Sequence, residues 1–129
     1  MIERIRPTLI LSILVLSGCT MSAVATNDIT LLAARTERRV QLTLSNESGS
    51  PVGYNLCASA LQRRTAGKWT AVETGDICTM EIRTLQNGTS ATFDKTLPDD
   101  TISGEYRYAT NVDSNGSPIV VASDPFNVP

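Results

Sequence analysis

Val40-Gln41-Leu42-Thr43-Leu44-Ser45 alternates apolar and polar side chains, and this short run decides the fold class. Successive side chains of a strand point to opposite faces, so such a run buries one face and wets the other. Asn46 to Pro51 follows it with a cluster of turn residues. The same grammar repeats downstream. Val52 to Leu61, holding Tyr54, Leu56 and Cys57, reads as a strand, and Ala66-Gly67-Lys68 as a turn before Trp69 to Val72. Thr79 to Leu85 and Thr89 to Phe93 flank Asn87-Gly88, while Glu105 to Val112 and Pro118 to Phe126 flank Asn115-Gly116. Asn-Gly is a favoured tight-turn dipeptide. Strand runs at a spacing of about 8 to 12 residues predict an all-β fold, an antiparallel sandwich of about seven strands.

One segment conflicts with that reading. Ile29 to Arg39 contains Leu31-Leu32-Ala33-Ala34-Arg35 and Glu37-Arg38, which are good helix formers. A two-turn helix is marginal without packing, so Ile29 to Ala34 is assigned to a first strand, with helix as the competing state.

The beginning of the chain follows different rules. Arg4 and Arg6 precede Leu9 to Leu16, an apolar run interrupted only by Ser12, in the order of a secretory n-region and h-region. A spanning helix needs roughly 20 apolar residues, and this run stops at Ser17-Gly18. Leu16-Ser17-Gly18-Cys19 resembles the lipobox of bacterial lipoproteins at all four positions. The resemblance implies cleavage before Cys19, a diacylglyceryl thioether on its sulfur and acylation of the new N-terminus. A plain secretory site at Ser22 to Ala25 is the bland alternative. One acyl chain is a marginal anchor, whereas two or three hold a protein to a bilayer. The expected organisation is a signal peptide over residues 1–18, lipidated Cys19 and a tether over 19–27, and one domain over 28–129. Thr20 stands where an Asp would resemble the inner-membrane retention signal, so the expected location is the cell envelope, lipid-anchored, at the outer rather than the inner membrane.

Loss of residues 1–18 removes Arg4, Arg6 and Glu3 and leaves nine basic against twelve acidic residues, a net charge of −3. With no long basic block and few aromatics, nucleic acid is not an expected partner. The pairs Arg38-Arg39 and Arg63-Arg64 read as solvated strand ends. Lipidation of Cys19 would leave Cys57 and Cys78, and in an exported chain such a pair more often forms a disulfide than stays free. Two reactive thiols or half a metal site are the rivals. The chain has no histidine, so a zinc site would have to lean on carboxylates, and neither metal nor cofactor is expected.

Ile102-Ser103-Gly104-Glu105-Tyr106 resembles the tyrosine corner of Ig-like sandwiches, in which the hydroxyl bonds backbone a few residues upstream. Alternation puts Tyr106, Tyr108 and Thr110 on one face. Pro51 to Cys57, Gly67-Lys68-Trp69, Cys78, Leu97-Pro98, Gly104 to Arg107 and Ser123 to Val128 together resemble a group of bacterial Ig-like domains on exported and lipid-anchored proteins. These are turn and core positions, so the resemblance implies an Ig-like β-sandwich and no activity. Antibody-type domains bridge distant strands around a tryptophan, whereas Cys57 and Cys78 are close in sequence. Their bridge is expected to tie a middle strand to its returning loop near one end of the sandwich, with Trp69 taking no part.

Without histidine the usual general base near neutral pH is missing, and no enzyme is expected. Asp99-Asp100 sit beside Pro98 in a loop, and adjacent residues seldom face one substrate as a glycosidase pair does. Asp113-Ser114-Asn115-Gly116 opens like a calcium loop but lacks its later acidic ligand, and a hairpin explains it. Asn87-Gly88-Thr89 fits a glycosylation sequon and also a turn. Two functions remain. The first is a membrane-anchored, non-catalytic envelope module that binds a protein or the cell wall through Ser48 to Pro51, Arg63 to Lys68 and Asp113 to Ser117, or through an edge strand. The alternative is a small exported protease inhibitor acting through Gly75 to Thr79, pinned at Cys78.

Overall fold

The computed structural model describes residues 28–129; residues 1–18, Cys19 and the tether over 19–27 lie outside the described residues. Two antiparallel sheets are built from ten strands: β1 (Ile29–Thr36), β2 (Arg39–Asn46), β3 (Val52–Tyr54), β4 (Ala60–Thr65), β5 (Lys68–Ala71), β6 (Arg83–Leu85), β7 (Thr89–Thr96), β8 (Gly104–Ser114), β9 (Ser117–Ala122) and β10 (Phe126–Val128). The smaller sheet has the order β1-β2-β7. In the larger one, β3 and β4 run in succession along one edge of β8, and β9 and β10 along the other. The strands β5 and β6 share the next lane, outside β4 and β3. Interrupted strands counted as single lanes give three lanes in one sheet and four in the other, the seven of an Ig-like sandwich.

The alternation in β2 does what its period demands. Val40, Leu42 and Leu44 are fully buried, while Gln41, Thr43 and Ser45 are exposed or half-buried. Across from them on the larger sheet, Leu61, Tyr106, Tyr108 and Val112 complete the core. The neighbouring β1 pairs with β2 at every position from Ile29↔Asn46 to Thr36↔Arg39. Helix propensity loses there, because the pairing buries Ile29 and Leu31 together and an isolated two-turn helix has no such return.

Tyr106 and Tyr108 are each 1 % exposed and Thr110 is 3 % exposed, on the shared inner face of β8. The Tyr106 hydroxyl donates to the Ile102 carbonyl at 2.6 Å, so the corner closes upstream and fixes the crossing from β7 to β8. Tyr106→Phe is expected to cost about 1 kcal/mol, the net worth of a part-buried hydrogen bond; urea denaturation measures it.

The two Asn-Gly dipeptides do different things. Asn115 (φ 53°) and Gly116 (φ 81°) are both left-handed and close the β8–β9 hairpin at Ser114↔Ser117, the geometry of a type I′ turn. At Asn87-Gly88 only Gly88 has positive φ, at 80°. That turn does not return the chain alongside itself. It carries it from β6 in the larger sheet to β7 in the smaller. A third turn, Ala66-Gly67, joins β4 to β5 with Ala66 at φ 52°, where a methyl group is strained. Ala66→Asn is expected to stabilise the domain by about 0.5 to 1 kcal/mol, since Asn enters this region more readily. A lowered midpoint in urea would contradict it.

Two expected strands are broken. Val52 to Leu61 is interrupted by a single 3-10 turn over Leu56–Ala58, and of Thr79 to Leu85 only Arg83–Leu85 pairs. Trp69 stands apart from the cystine, with the Arg107 guanidinium 4.5 Å and that of Arg64 5.7 Å from its ring centre.

Candidate functional site

The breaks in neighbouring lanes fall at one height, and between them they build a rim. Tyr54 pairs with Val112 and Ala60 with Ala109, so residues 55–59 stand opposite only Thr110 and Asn111 and must bulge. In the outer lane, the strand β5 ends at Ala71, a last bond runs from the Val72 N–H to the Leu61 carbonyl at 2.9 Å, and pairing resumes at Arg83, leaving residues 73–82 as an unpaired loop. A disulfide between Cys57 and Cys78, with Cα atoms 5.8 Å apart, joins the two bulges. It ties the middle strand to the returning loop, as expected. It does so at the break midway along the lane rather than near one end of the sandwich, because that break is where the chain departs from the sheet.

A second lock comes from the other sheet. Lys95 on β7 is buried, with only 4 % of its side chain exposed. Its Nζ donates to the Cys57 carbonyl at 2.7 Å and to Asp76 Oδ2 at 2.8 Å. The rings of Tyr108 and Phe93 lie 5.9 and 6.0 Å from the ammonium. Thr74 Oγ1 also donates to Asp76 Oδ2, at 2.9 Å. The hydrogen bond from Lys95 holds the Asp76 carboxyl below the ordinary carboxylate value, against partial burial and with help from Thr74 and the lysine charge. Burial, reinforced by the Asp76 charge, pushes the Tyr108 hydroxyl up. Asn55 Nδ2 adds a bond to the Thr79 carbonyl at 2.8 Å. The loop is therefore fastened at Asp76, Cys78 and Thr79 in succession.

The residues between and beyond these fasteners face outward. Ile77 is 95 %, Met80 92 % and Ile82 66 % exposed, an unusual use of large apolar side chains on a rigid loop. Met80 and Ile82 overhang a groove of about 440 Å³ that includes Tyr54, Val112 and Pro118. Ile77 borders another of about 480 Å³ that includes Leu56, Thr92 and Phe93. The arrangement presents hydrocarbon on a pre-ordered frame, so an apolar partner surface would meet little ordering cost.

The loops named from the sequence do not form one surface. Ser48 to Pro51 and Asp113 to Ser117 meet at one end, since Val52 pairs with Ser114. Arg63 to Lys68 lies at the opposite end, beyond the pairing of Arg63 with Tyr106. Buried Asn46 organises the first loop, accepting from Ser48 and donating to the carbonyls of Ser50 and Leu85. Asp99 forms an ion pair with Arg38 at the surface. Gly75 to Thr79 is the fastened part of the rim. Cys19 lies outside the described residues. Lys95 was missed as a locking residue, although Ala91, Phe93, Lys95 and Leu97 share a strand face and a lysine among them is a signal in itself.

No family model matches the chain, and no curated protein is significantly similar to it in sequence.

Proposed function

We propose that the chain is a lipid-anchored, non-catalytic Ig-like module of the bacterial cell envelope that binds a protein partner through the cystine-held rim. The observation that carries this reading is the exposure of Ile77, Met80 and Ile82 on a loop fastened by a disulfide and by an ion pair to buried Lys95. Aliphatic and Met side chains of this kind suit the centre of a protein interface. Wall polysaccharide offers hydroxyl and amide groups that such carbons cannot pair. The lipobox-like Leu16-Ser17-Gly18-Cys19 supports attachment through Cys19, with Thr20 favouring the outer membrane. Intact mass of the membrane-extracted protein tests the anchor, which requires an acylated chain beginning at Cys19.

The rim is tested in the full chain by Ile77→Asp combined with Met80→Asp. Both side chains are almost fully exposed, so stability should change by less than about 0.5 kcal/mol. Partner recovery after crosslinking in intact envelopes should fall by roughly tenfold or more. Undiminished recovery, or recovery of lipid alone from the wild type, counts against the reading.

One feature favours the inhibitor alternative: Ile77 projects between the fastened residues Asp76 and Cys78, the presentation a protease-blocking loop needs. A panel of proteases decides it, since full proteolysis at high molar excess of the protein eliminates inhibition.

A further inference from the structure

The free edge of β7 borders the rim, and its backbone is unused. The pairing with β2 is unbroken from Thr89↔Asn46 to Thr96↔Arg39. Just beyond it, the Leu97 N–H donates to the Arg38 carbonyl at 2.7 Å. Hydrogen-bonded pairs recur at every second residue of an antiparallel ladder, so Ala91, Phe93 and Lys95 turn their N–H and C=O groups towards β2, while at the start of the strand the Gly88 N–H donates to the Asn46 carbonyl and the Thr89 N–H to that of Gln86. Ser90, Thr92, Asp94 and Thr96 turn theirs the other way. Among the described residues no strand pairs with them, because β7 ends the smaller sheet and the chain over 72–82 passes this lane without forming a ladder.

Such an edge is ordinarily blunted. On β9 the hairpin register turns Pro118, Val120 and Ala122 outward, and Pro118 brings no N–H to that edge. On β1 the outward side lies beside β9. The outward positions of β7 carry neither proline nor lysine. Beside them runs the groove bordered by Ile77, Thr92 and Phe93.

Resting on the reading of the rim as a protein-binding surface, we propose that the partner contributes one extended segment that adds to β7 as a further strand, between β7 and the cystine-held loop. Main-chain bonds to Ser90, Thr92, Asp94 and Thr96 would supply affinity and alternate side chains specificity. The segment is apolar at the positions facing Ile77 and Phe93, and basic opposite Asp94, which makes no ion pair among the described residues, whereas nearby Glu81 is paired with Arg83 at 3.6 Å. A second copy of the chain is disfavoured as occupant. It would bring a second Asp94 where a basic side chain is called for, and its own cystine-held loop against the loop that already borders the groove.

The test uses the full-length protein in detergent and a displayed library of random dodecapeptides. Selected peptides are expected to slow exchange of the Ser90, Thr92, Asp94 and Thr96 amides in the wild-type chain. They should bind Thr92→Pro roughly tenfold or more weakly, since that substitution removes an outward N–H and leaves the bonds to β2 in place. The amide measurement stands even if the variant fails to fold. Recovery of no binding peptide, protection elsewhere than at these four amides, or equal binding to a folded Thr92→Pro overturns the proposal. Loss of the partner in the Ile77 and Met80 double variant without such protection leaves the rim reading intact and removes only the added strand. Protection of the four amides with the partner retained by that double variant supports the edge and overturns the rim.

Discussion

Replacing Cys57 and Cys78 together with serine is expected to destabilise the domain by about 3 kcal/mol, and to lower its melting temperature by roughly 12 to 20 °C. The cysteines are separated by 21 positions, and a crosslink over a loop of that length removes conformational freedom chiefly from the unfolded chain. The folded state loses something as well. Residues 73–82 make no ladder bonds, and without the cystine the loop is held by the Val72 N–H on the Leu61 carbonyl at its start and by the contacts at Asp76 and Thr79. The variant should therefore still fold, around a core to which neither cysteine belongs, while amides of the loop exchange faster. Thermal unfolding of oxidised wild type against the double variant measures the effect. A change below about 1 kcal/mol would mean that the bridge does not restrain the unfolded chain as loop entropy requires.

The second large effect is an asymmetry within the pair of buried Lys95 and partly exposed Asp76. Asp76→Ala is expected to cost about 2 kcal/mol, because it leaves the buried Lys95 ammonium with the Cys57 carbonyl but no countercharge, less than for a fully buried pair since Asp76 is 39 % exposed. Lys95→Met is expected to cost only about 1 kcal/mol. Its side chain keeps most of the packing stem, and the charge that needed compensation disappears along with its desolvation penalty. What remains is an unpaired Cys57 carbonyl and an Asp76 carboxylate that is 39 % exposed and can turn to water. Guanidinium denaturation of the two variants decides the order, and equal costs would contradict it.

The same pair gives a pH dependence. The folded Asp76 carboxyl titrates below its ordinary value of 3.8. Above 3.8 both states are ionised and the contribution is complete. As pH falls below that value the unfolded chain takes up the proton first, and stability is lost as the folded group titrates in turn. Partial exposure of the carboxylate keeps this contribution modest and sensitive to salt. Asp76→Asn should remove the corresponding part of the acid-induced loss.

The sandwich was legible where one face of a strand is buried and the other wet. Val40 to Ser45 and Tyr106 to Thr110 declare themselves by period two, because a slip of one residue would expose the whole apolar set. Tyr106 declared the corner as well, since a tyrosine after a glycine turn supplies both the ring for the core and the hydroxyl for the crossing. The rim was less legible. Met80 and Ile82 alternate with Glu81 and Arg83 and so imitate a half-buried strand, yet the bulge at residues 55–59 pushes that lane off the sheet and turns them to solvent. A bulge of this size depends on the partner lanes, which sequence periodicity does not register. Asn87-Gly88 was ambiguous for a related reason: the dipeptide permits left-handed backbone at both residues, but tertiary pairing decides whether Asn uses it. Lys95 could be placed on the inner face by counting from Phe93. Its destination, the carbonyl of Cys57 and the carboxylate of Asp76, could not.

A photocrosslinking residue placed at Met80 in the full-length protein, in intact envelopes, tests most directly the proposal that the cystine-held loop is the working surface, with Thr70 on exposed β5 as the comparison position. The expected result is one discrete protein adduct from position 80, weakened when Cys57 and Cys78 are serine, and none from position 70. The same adduct from both positions, or adducts with lipid alone, would contradict it.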